Sequence, residues 1–234
     1  MRLDKFLTDA GVATRTEAAR AAREGKISVN NIIIRKSGTH VDPVCDKIIY
    51  CGNVVTYREF TYIMLNKPEG YVSSTDDPKS PNVLMLLPES LRRIGLFPCG
   101  RLDKNTVGLL LLTNNGPLSH KLLAPKNHVE KKYRFRVSDM LSAEDIDRLE
   151  SGVDIGGYVT APCRLEMTGE NEGFISITEG KYHQIKLMMS AVGTHITFLE
   201  RVSFGPIELD NSLERGSWRY LSENEQSLIE NAMR

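Results

Sequence analysis

Gly100-Arg101-Leu102-Asp103-Lys104-Asn105-Thr106-Val107-Gly108-Leu109, continued by Leu110-Leu111-Leu112-Thr113-Asn114, joins a polar loop directly to an unbroken apolar run. The run from Val107 to Thr113 has the length and composition of a buried strand. Upstream, Tyr62-Ile63-Met64-Leu65 predicts a second strand, and Asn66-Lys67-Pro68-Glu69-Gly70 a turn by composition. Downstream, Lys132 to Val137 alternates basic residues with Tyr133, Phe135 and Val137, as a half-exposed strand would. Ser142 to Gly152 reads as a short helix, Phe174 to Thr178 as a strand, and Gln184 to Val192 as an apolar helix. Ser222-Glu223-Asn224-Glu225 has capping-box form before a last helix. Strands and helices mix without a regular β-α repeat, so the fold class is α+β.

The first sixty residues form a module of their own. Leu3, Phe6 and Leu7 recur at helical spacing, and Gly11 ends that helix. Thr14-Arg15-Thr16-Glu17 is a capping box before an alanine-rich helix, and Gly25 suits its left-handed C-terminal cap. Ile27-Ser28-Val29, the Asn30-Asn31 turn and Ile32 to Arg35 predict a hairpin. Arg15, Arg20 and Arg23 fall on or beside the second helix, with Lys26, Arg35 and Lys36 in the hairpin. Tyr57 to Thr61 is the linker, which divides the chain into residues 1–58 and 59–234.

Composition limits the function classes. The chain has 234 residues, 41% hydrophobic and 26% charged, ordinary for a globular protein. Nothing approaches a run of about 18 apolar residues, and the N-terminus has no secretory core, so no membrane is expected and the compartment is the cytoplasm. Cys45, Cys51, Cys99 and Cys163 lack zinc-site spacing and read as plain thiols. The five histidines show no metal-binding spacing either, so neither a metal nor any other cofactor is expected. Net charge is zero, yet residues 1–40 hold eight Lys or Arg against four Asp or Glu. A second basic cluster spans Lys126 to Arg136, broken by Glu130. Local positive surface of this kind can follow a phosphate backbone, although a charge cluster alone is usually a solvated face.

Four segments carry more polar residues than a plain core needs. They are Leu65 to Tyr71 with Ser73 to Pro78, Gly100 to Leu109, Glu130 to Tyr133, and Glu179-Gly180-Lys181-Tyr182-His183-Gln184-Ile185-Lys186. Singly, each has a bland reading as a turn, a loop or a surface ion pair. Their order and spacing together are specific. The chain resembles bacterial ribosomal RNA pseudouridine synthases of the RsuA type, which act on small-subunit rRNA, along nearly its whole length. Met1 to Phe6 resembles the start of that group's small alpha-L RNA-binding domain, also found in a small-subunit ribosomal protein. Ile63-Met64-Leu65-Asn66-Lys67-Pro68-Glu69-Gly70-Tyr71, Ser74-Thr75-Asp76-Asp77-Pro78 and Gly100 to Leu109 match its motifs. The late motif departs from the usual pattern at three places, with Lys181 and Leu187 where arginine is usual and Ile185 where valine is.

The resemblance implies an alpha-L domain over residues 1–58 and a catalytic domain over 59–234, built on a central mixed, largely antiparallel sheet. It implies that Asp103 is the essential carboxylate, Tyr133 the ring that stacks on the flipped uracil, and Lys186 the basic partner of the aspartate. Arg101 would hold the target nucleotide extruded. Lys67, Thr106, His183 and Gln184 would contact RNA at the site, and Arg15, Arg20, Arg23 and Lys26 would do so from the N-terminal domain. The expected partner is ribosomal RNA or a pre-ribosomal particle, met by a monomer without cofactor. Removing residues 1–58 should weaken RNA binding and leave the catalytic fold intact.

The chemistry suits these residue types. Making pseudouridine breaks the N1–C1′ bond, turns the uracil and joins C5 to C1′, which needs neither redox change nor group donor. A carboxylate must be ionised to attack sugar or base or to abstract a sugar proton, and a cation within about 4–6 Å favours that state. The base must leave the stack at a cost of about a few kcal/mol. Three alternatives stand beside this reading: a large-subunit rRNA substrate, a non-catalytic rRNA-binding or assembly factor, and a glycosidase or nucleosidase pairing Asp103 with Asp76 or Asp77. The Ser74 to Pro78 segment favours small-subunit rRNA.

Overall fold

The computed structural model describes residues 1–75 and 80–232. Asp76, Asp77 and Pro78, and with them the paired-carboxylate alternative and the end of the Ser74 to Pro78 motif, lie outside the described residues. The chain divides into two compact units, residues 1–61 with 87–97, and residues 62–86 with 98–232.

The first unit is built as the local signals predict. Helix α1 (Leu3–Asp9) buries Leu3, Phe6 and Leu7, and α2 (Arg15–Arg23) buries Ala18, Ala21 and Ala22. Thr14 accepts from the Glu17 amide at 3.2 Å and its own amide donates to Glu17 at 2.7 Å, completing the capping box. Strands β1 (Ile27–Val29), β2 (Ile32–Ile33), β3 (Ile48–Tyr50) and β4 (Asn53–Val55) form a sheet in the order β2-β1-β3-β4. Asn30 and Asn31 both take positive φ, the backbone a tight two-residue hairpin requires. Arg35 and Lys36 fall beyond the end of β2 rather than within the hairpin strands.

A second difference concerns the boundary. Residues 87–97, which include α3 (Glu89–Arg92), return to the first unit, where Arg93 reaches Glu17 at 3.2 Å. Gly11 lies so near that a Cβ there would meet the Ser90 carbonyl at 2.2 Å. No local signal in 87–97 announces such a return, because its partners lie nearly eighty residues upstream. Residues 87–97 therefore pack in one unit with residues 1–61, while the rest of the chain from Tyr62 onward forms the other.

The second unit holds the larger sheet. Its strands include β5 (Tyr62–Lys67), β6 (Phe97–Cys99, which begins on the last residue of the first unit), β7 (Val107–Thr113) and β8 (Lys131–Val137). Then come β9 (Arg164–Met167), β10 (Glu172–Ile177), β11 (Ile196–Phe204), β12 (Ile207–Glu208) and β13 (Trp218–Tyr220). The main order is β13-β5-β7-β11-β8-β10-β9, and along it only β7 and β11 run parallel. All seven residues of β7 are buried, as its composition demands. Gly108 takes φ +95°, and a Cβ there would meet the Arg201 carbonyl at 2.4 Å. Only glycine lets β7 approach β11 so closely.

Helices α4 (Gly116–Leu123), α5 (Ala143–Ser151), α6 (Gln184–Ala191) and α7 (Glu223–Asn231) complete this unit. Leu118 and Leu122 of α4 and Ile229 of α7 pack in one cluster with Tyr62, Met64, Leu109 and Leu111. Ser142 and Ser222 cap α5 and α7 through boxes with Asp145 and Glu225. The turn expected at Asn66–Gly70 begins late: Asn66 and Lys67 still belong to β5 and are buried, and the reversal falls at Gly70 with φ +90°.

Candidate active site

The loop ahead of β7 is fixed from behind before it presents anything forward. Ser73 Oγ donates to the Leu102 carbonyl at 3.0 Å and accepts from the Leu102 amide at 3.1 Å. The fully buried Lys67 ammonium donates to the carbonyls of Thr106 at 2.8 Å, Asp103 at 3.0 Å, Pro68 at 3.2 Å and Lys104 at 3.3 Å. The Gly70 amide adds a bond to the Lys104 carbonyl at 2.9 Å. With its carbonyls drawn inward, the loop leaves the Asp103 side chain at the cleft. Burial pushes the Lys67 ammonium down to about 8, while the Asp103 and Glu69 carboxylates pull the other way.

Two residues from the start of α6 meet that carboxylate. Lys186 Nζ donates to Asp103 Oδ2 at 2.5 Å and to Asn105 Oδ1 at 2.6 Å. His183 Nε2 stands 3.6 Å from Asp103 Oδ1. The turn that delivers them puts His183 in the left-handed region, φ +51°. Gln184 braces it: Oε1 accepts from the Lys181 amide at 2.8 Å and Nε2 donates to Glu179 Oε1 at 2.7 Å. Glu179 is itself held by the Ala161 amide at 3.0 Å and the Tyr158 hydroxyl at 2.6 Å.

Asp103, Lys186 and Tyr133 line one cleft of about 720 Å³, with Arg101, His183, Lys181 and Tyr182. Tyr133 sits on β8, nearly buried, paired across the ladders with Ile175 of β10 and Arg201 of β11. Arg101 is exposed at the cleft. Three of the residues expected to touch RNA are buried, Thr106 and Gln184 among the cleft lining and Lys67 behind it. Lys67 spends its ammonium on backbone carbonyls, Gln184 is an internal brace with 4% exposure, and Thr106 is 2% exposed. They shape the site from inside. Arg15, Arg20, Arg23 and Lys26 are exposed in the first unit, with Lys26 paired to Glu24 at 2.6 Å.

Two buried cations were not anticipated. Arg201 is 2% exposed, donates Nε to the Leu109 carbonyl at 2.8 Å and lies over the Phe204 ring at 5.1 Å. β7 and β11 pair at two positions, Val107 with Glu200 and Gly108 with Arg201, so this bond adds a tie between the strand that follows the Asp103 loop and the strand beside Tyr133. Lys131 is 9% exposed, and burial with the nearby Arg201 charge pushes it down to about 8. Strand alternation was the available signal: Lys131 shares a face with Tyr133, and Leu199 with Arg201. Cys45, Cys51, Cys99 and Cys163 are free thiols.

Comparison with known proteins agrees with this architecture. The RNA pseudouridylate synthase family profile matches residues 61–191, and that of the S4 domain matches residues 1–48. The chain is 43% identical to an uncharacterized RNA pseudouridine synthase of Bacillus subtilis (strain 168), over 98% of each chain. It is 38% identical to ribosomal small subunit pseudouridine synthase A of Vibrio cholerae (strain El Tor Inaba N16961), over 98% of this chain and 99% of the relative. For the Escherichia coli (strain K12) protein of that name the figures are 37%, 96% and 98%. A crystal structure of a pseudouridylate synthase superposes with a TM-score of 0.69 at 34% identity, covering 99% of both chains. Among the described residues no helix is long and apolar enough to cross a membrane. With an S4 domain ahead of a mixed sheet whose loop presents Asp103, the chain belongs to the RNA pseudouridylate synthase family.

Proposed function

We propose that this chain isomerises a specific uridine of small-subunit ribosomal RNA to pseudouridine, with Asp103 as the essential carboxylate. The observation that carries the reading is the Asp103 carboxylate at the cleft, 2.5 Å from Lys186 and on the same cleft as Tyr133. The names of the Vibrio and Escherichia relatives supply the substrate class.

In this account the target uridine leaves its stack and enters the cleft, where Tyr133 receives the base. Base stacking on an aromatic ring is worth about 1–3 kcal/mol, which offsets part of the unstacking cost. Arg101 at the cleft holds the extruded nucleotide. Asp103 acts on the sugar or base as the N1–C1′ bond breaks, the uracil turns, and C5 bonds to C1′. The proton displaced from C5 ends on N1, so atoms balance without a co-reactant. In this reading Tyr133 also takes part in removing that proton through its hydroxyl. Lys186 holds the carboxylate in place and offsets its charge, and Asn105 shares the ammonium.

The division of labour runs from an RNA-binding N-terminal domain, residues 1–58, to a catalytic domain, residues 59–234. Arg15, Arg20, Arg23 and Lys26 meet the phosphate backbone from the former. The protein works as a monomer in the cytoplasm on rRNA or a pre-ribosomal particle. Unmodified small-subunit rRNA made by transcription tests the reading: pseudouridine should form while no free uracil is released. Free uracil would instead indicate a nucleosidase, and binding without either product an assembly factor.

A further inference from the structure

Tyr182 is a large ring left in water at the edge of the cleft, 76% exposed. One of its faces is used: it stacks on the His183 ring, with centroids 3.8 Å apart and planes 19° from parallel. His183 in turn stands 3.6 Å from the Asp103 carboxylate. A short aromatic stack therefore starts beside the reacting group and ends in solvent. The neighbouring Tyr158 provides a contrast. Its hydroxyl is donated to Glu179, and the Lys181 ammonium lies 4.2 Å above its ring. Tyr158 is committed to the scaffold, whereas most of the Tyr182 ring contributes nothing to the fold.

An exposed aromatic face at the edge of a cleft lined by Arg101, Lys181 and Lys186 is the kind of platform that single-stranded nucleic acid uses, because every base has a π-face. Flipping one nucleotide also robs its neighbour of a stacking partner. We infer that Tyr182 forms a subsite for the base of a nucleotide adjoining the target uridine, continuing the stack Tyr182–His183 outward from Asp103. The inference rests on the reading of the chain as an RNA uridine isomerase. In that role Tyr182 anchors the RNA and leaves the chemistry to the residues inside the cleft. Any base can stack there, so the subsite contributes affinity and register more than base identity.

The probe is small-subunit rRNA made by transcription, used with the full-length protein. Irradiation at short ultraviolet wavelength followed by digestion and mass spectrometry should find a nucleotide adduct on Tyr182, mapping beside the modified uridine. Tyr182→Ala should weaken binding and raise KM about ten-fold, the equivalent of one stacked base, with kcat changed less than about two-fold. Tyr182→Phe and Tyr182→Trp should retain wild-type affinity, since the ring and not the hydroxyl acts. Tyr182→Ala affinity within about two-fold of wild type, with adducts only elsewhere, would overturn the inference. So would a Tyr182→Phe defect as large as that of alanine. If wild-type protein makes no pseudouridine, the isomerase reading fails by itself, while the adduct and the affinity series still decide whether Tyr182 receives a base.

Discussion

Lys67 grips Asp103 by its backbone: the ammonium donates to the Asp103 carbonyl at 3.0 Å, while the Asp103 side chain turns away to meet Lys186 at 2.5 Å. One aspartate is thus held by two lysines with separate tasks. Lys67 sets where the loop lies, and Lys186 meets the carboxylate that the loop presents.

Lys67→Met should be among the most damaging single changes outside the carboxylate itself. It takes this donor from the carbonyls of Pro68, Asp103, Lys104 and Thr106, of which the Thr106 carbonyl is buried and the Asp103 and Lys104 carbonyls keep the Thr106 and Gly70 amides. Each unmet buried polar group costs about 1–3 kcal/mol, although relaxation and water recover part of it. We expect a loss of about 2–4 kcal/mol in urea unfolding together with a large fall in kcat. Wild-type stability in that variant would show that the four bonds do not fix the loop.

The same lysine makes a pH prediction. Its folded-state value is lowered to about 8 from the ordinary 10.5. Between those values the unfolded chain holds a proton that the folded chain has released, so stability from this group rises as pH climbs from about 8 to about 10.5. Lys131, also lowered to about 8, acts in the same direction. Unfolding free energies measured across this window should rise less steeply with pH in Lys131→Met than in wild type. Equal slopes would contradict the lowered value.

Lys186→Met should lower kcat by about a hundred-fold or more, with RNA affinity changed much less. The expected size follows from removing a charge-assisted bond to a group that changes charge during reaction. Lys186→Arg should recover part of the rate. A variant that loses affinity but keeps kcat would make Lys186 an RNA contact instead.

Gly108→Ala tests the strand contact that carries the site. A methyl there would sit 2.4 Å from the Arg201 carbonyl, on a backbone with φ +95°. Both sterics and conformation oppose it, so destabilisation should exceed about 3 kcal/mol. A thermal melt close to wild type would mean that β7 and β11 can part without cost.

Much of the molecule was legible because its signals are local. The Thr14, Ser142 and Ser222 boxes, the Asn30-Asn31 turn and the apolar β7 each declare themselves within a few residues. The cleft pairing of Asp103 with Lys186 was legible only through family resemblance, since eighty-three positions separate them. What escaped was the use made of polar residues once buried. Lys67 and Gln184 look like ligand contacts in a motif, yet they spend their donors on the scaffold. Arg201 and Lys131 escaped for the opposite reason: charged residues in strands are read as outward-facing, and here alternation turns them inward. The return of residues 87–97 to the first unit left no trace in composition, because packing partners so far upstream have no local signature.

The most direct test is pseudouridine mapping of small-subunit rRNA, free and in partly assembled particles, after incubation with wild-type protein and with Asp103→Ala. One new pseudouridine should form with wild type and none with the variant, while both proteins bind the RNA. The same pseudouridine formed by Asp103→Ala, or none formed by wild type on either substrate, would contradict that expectation.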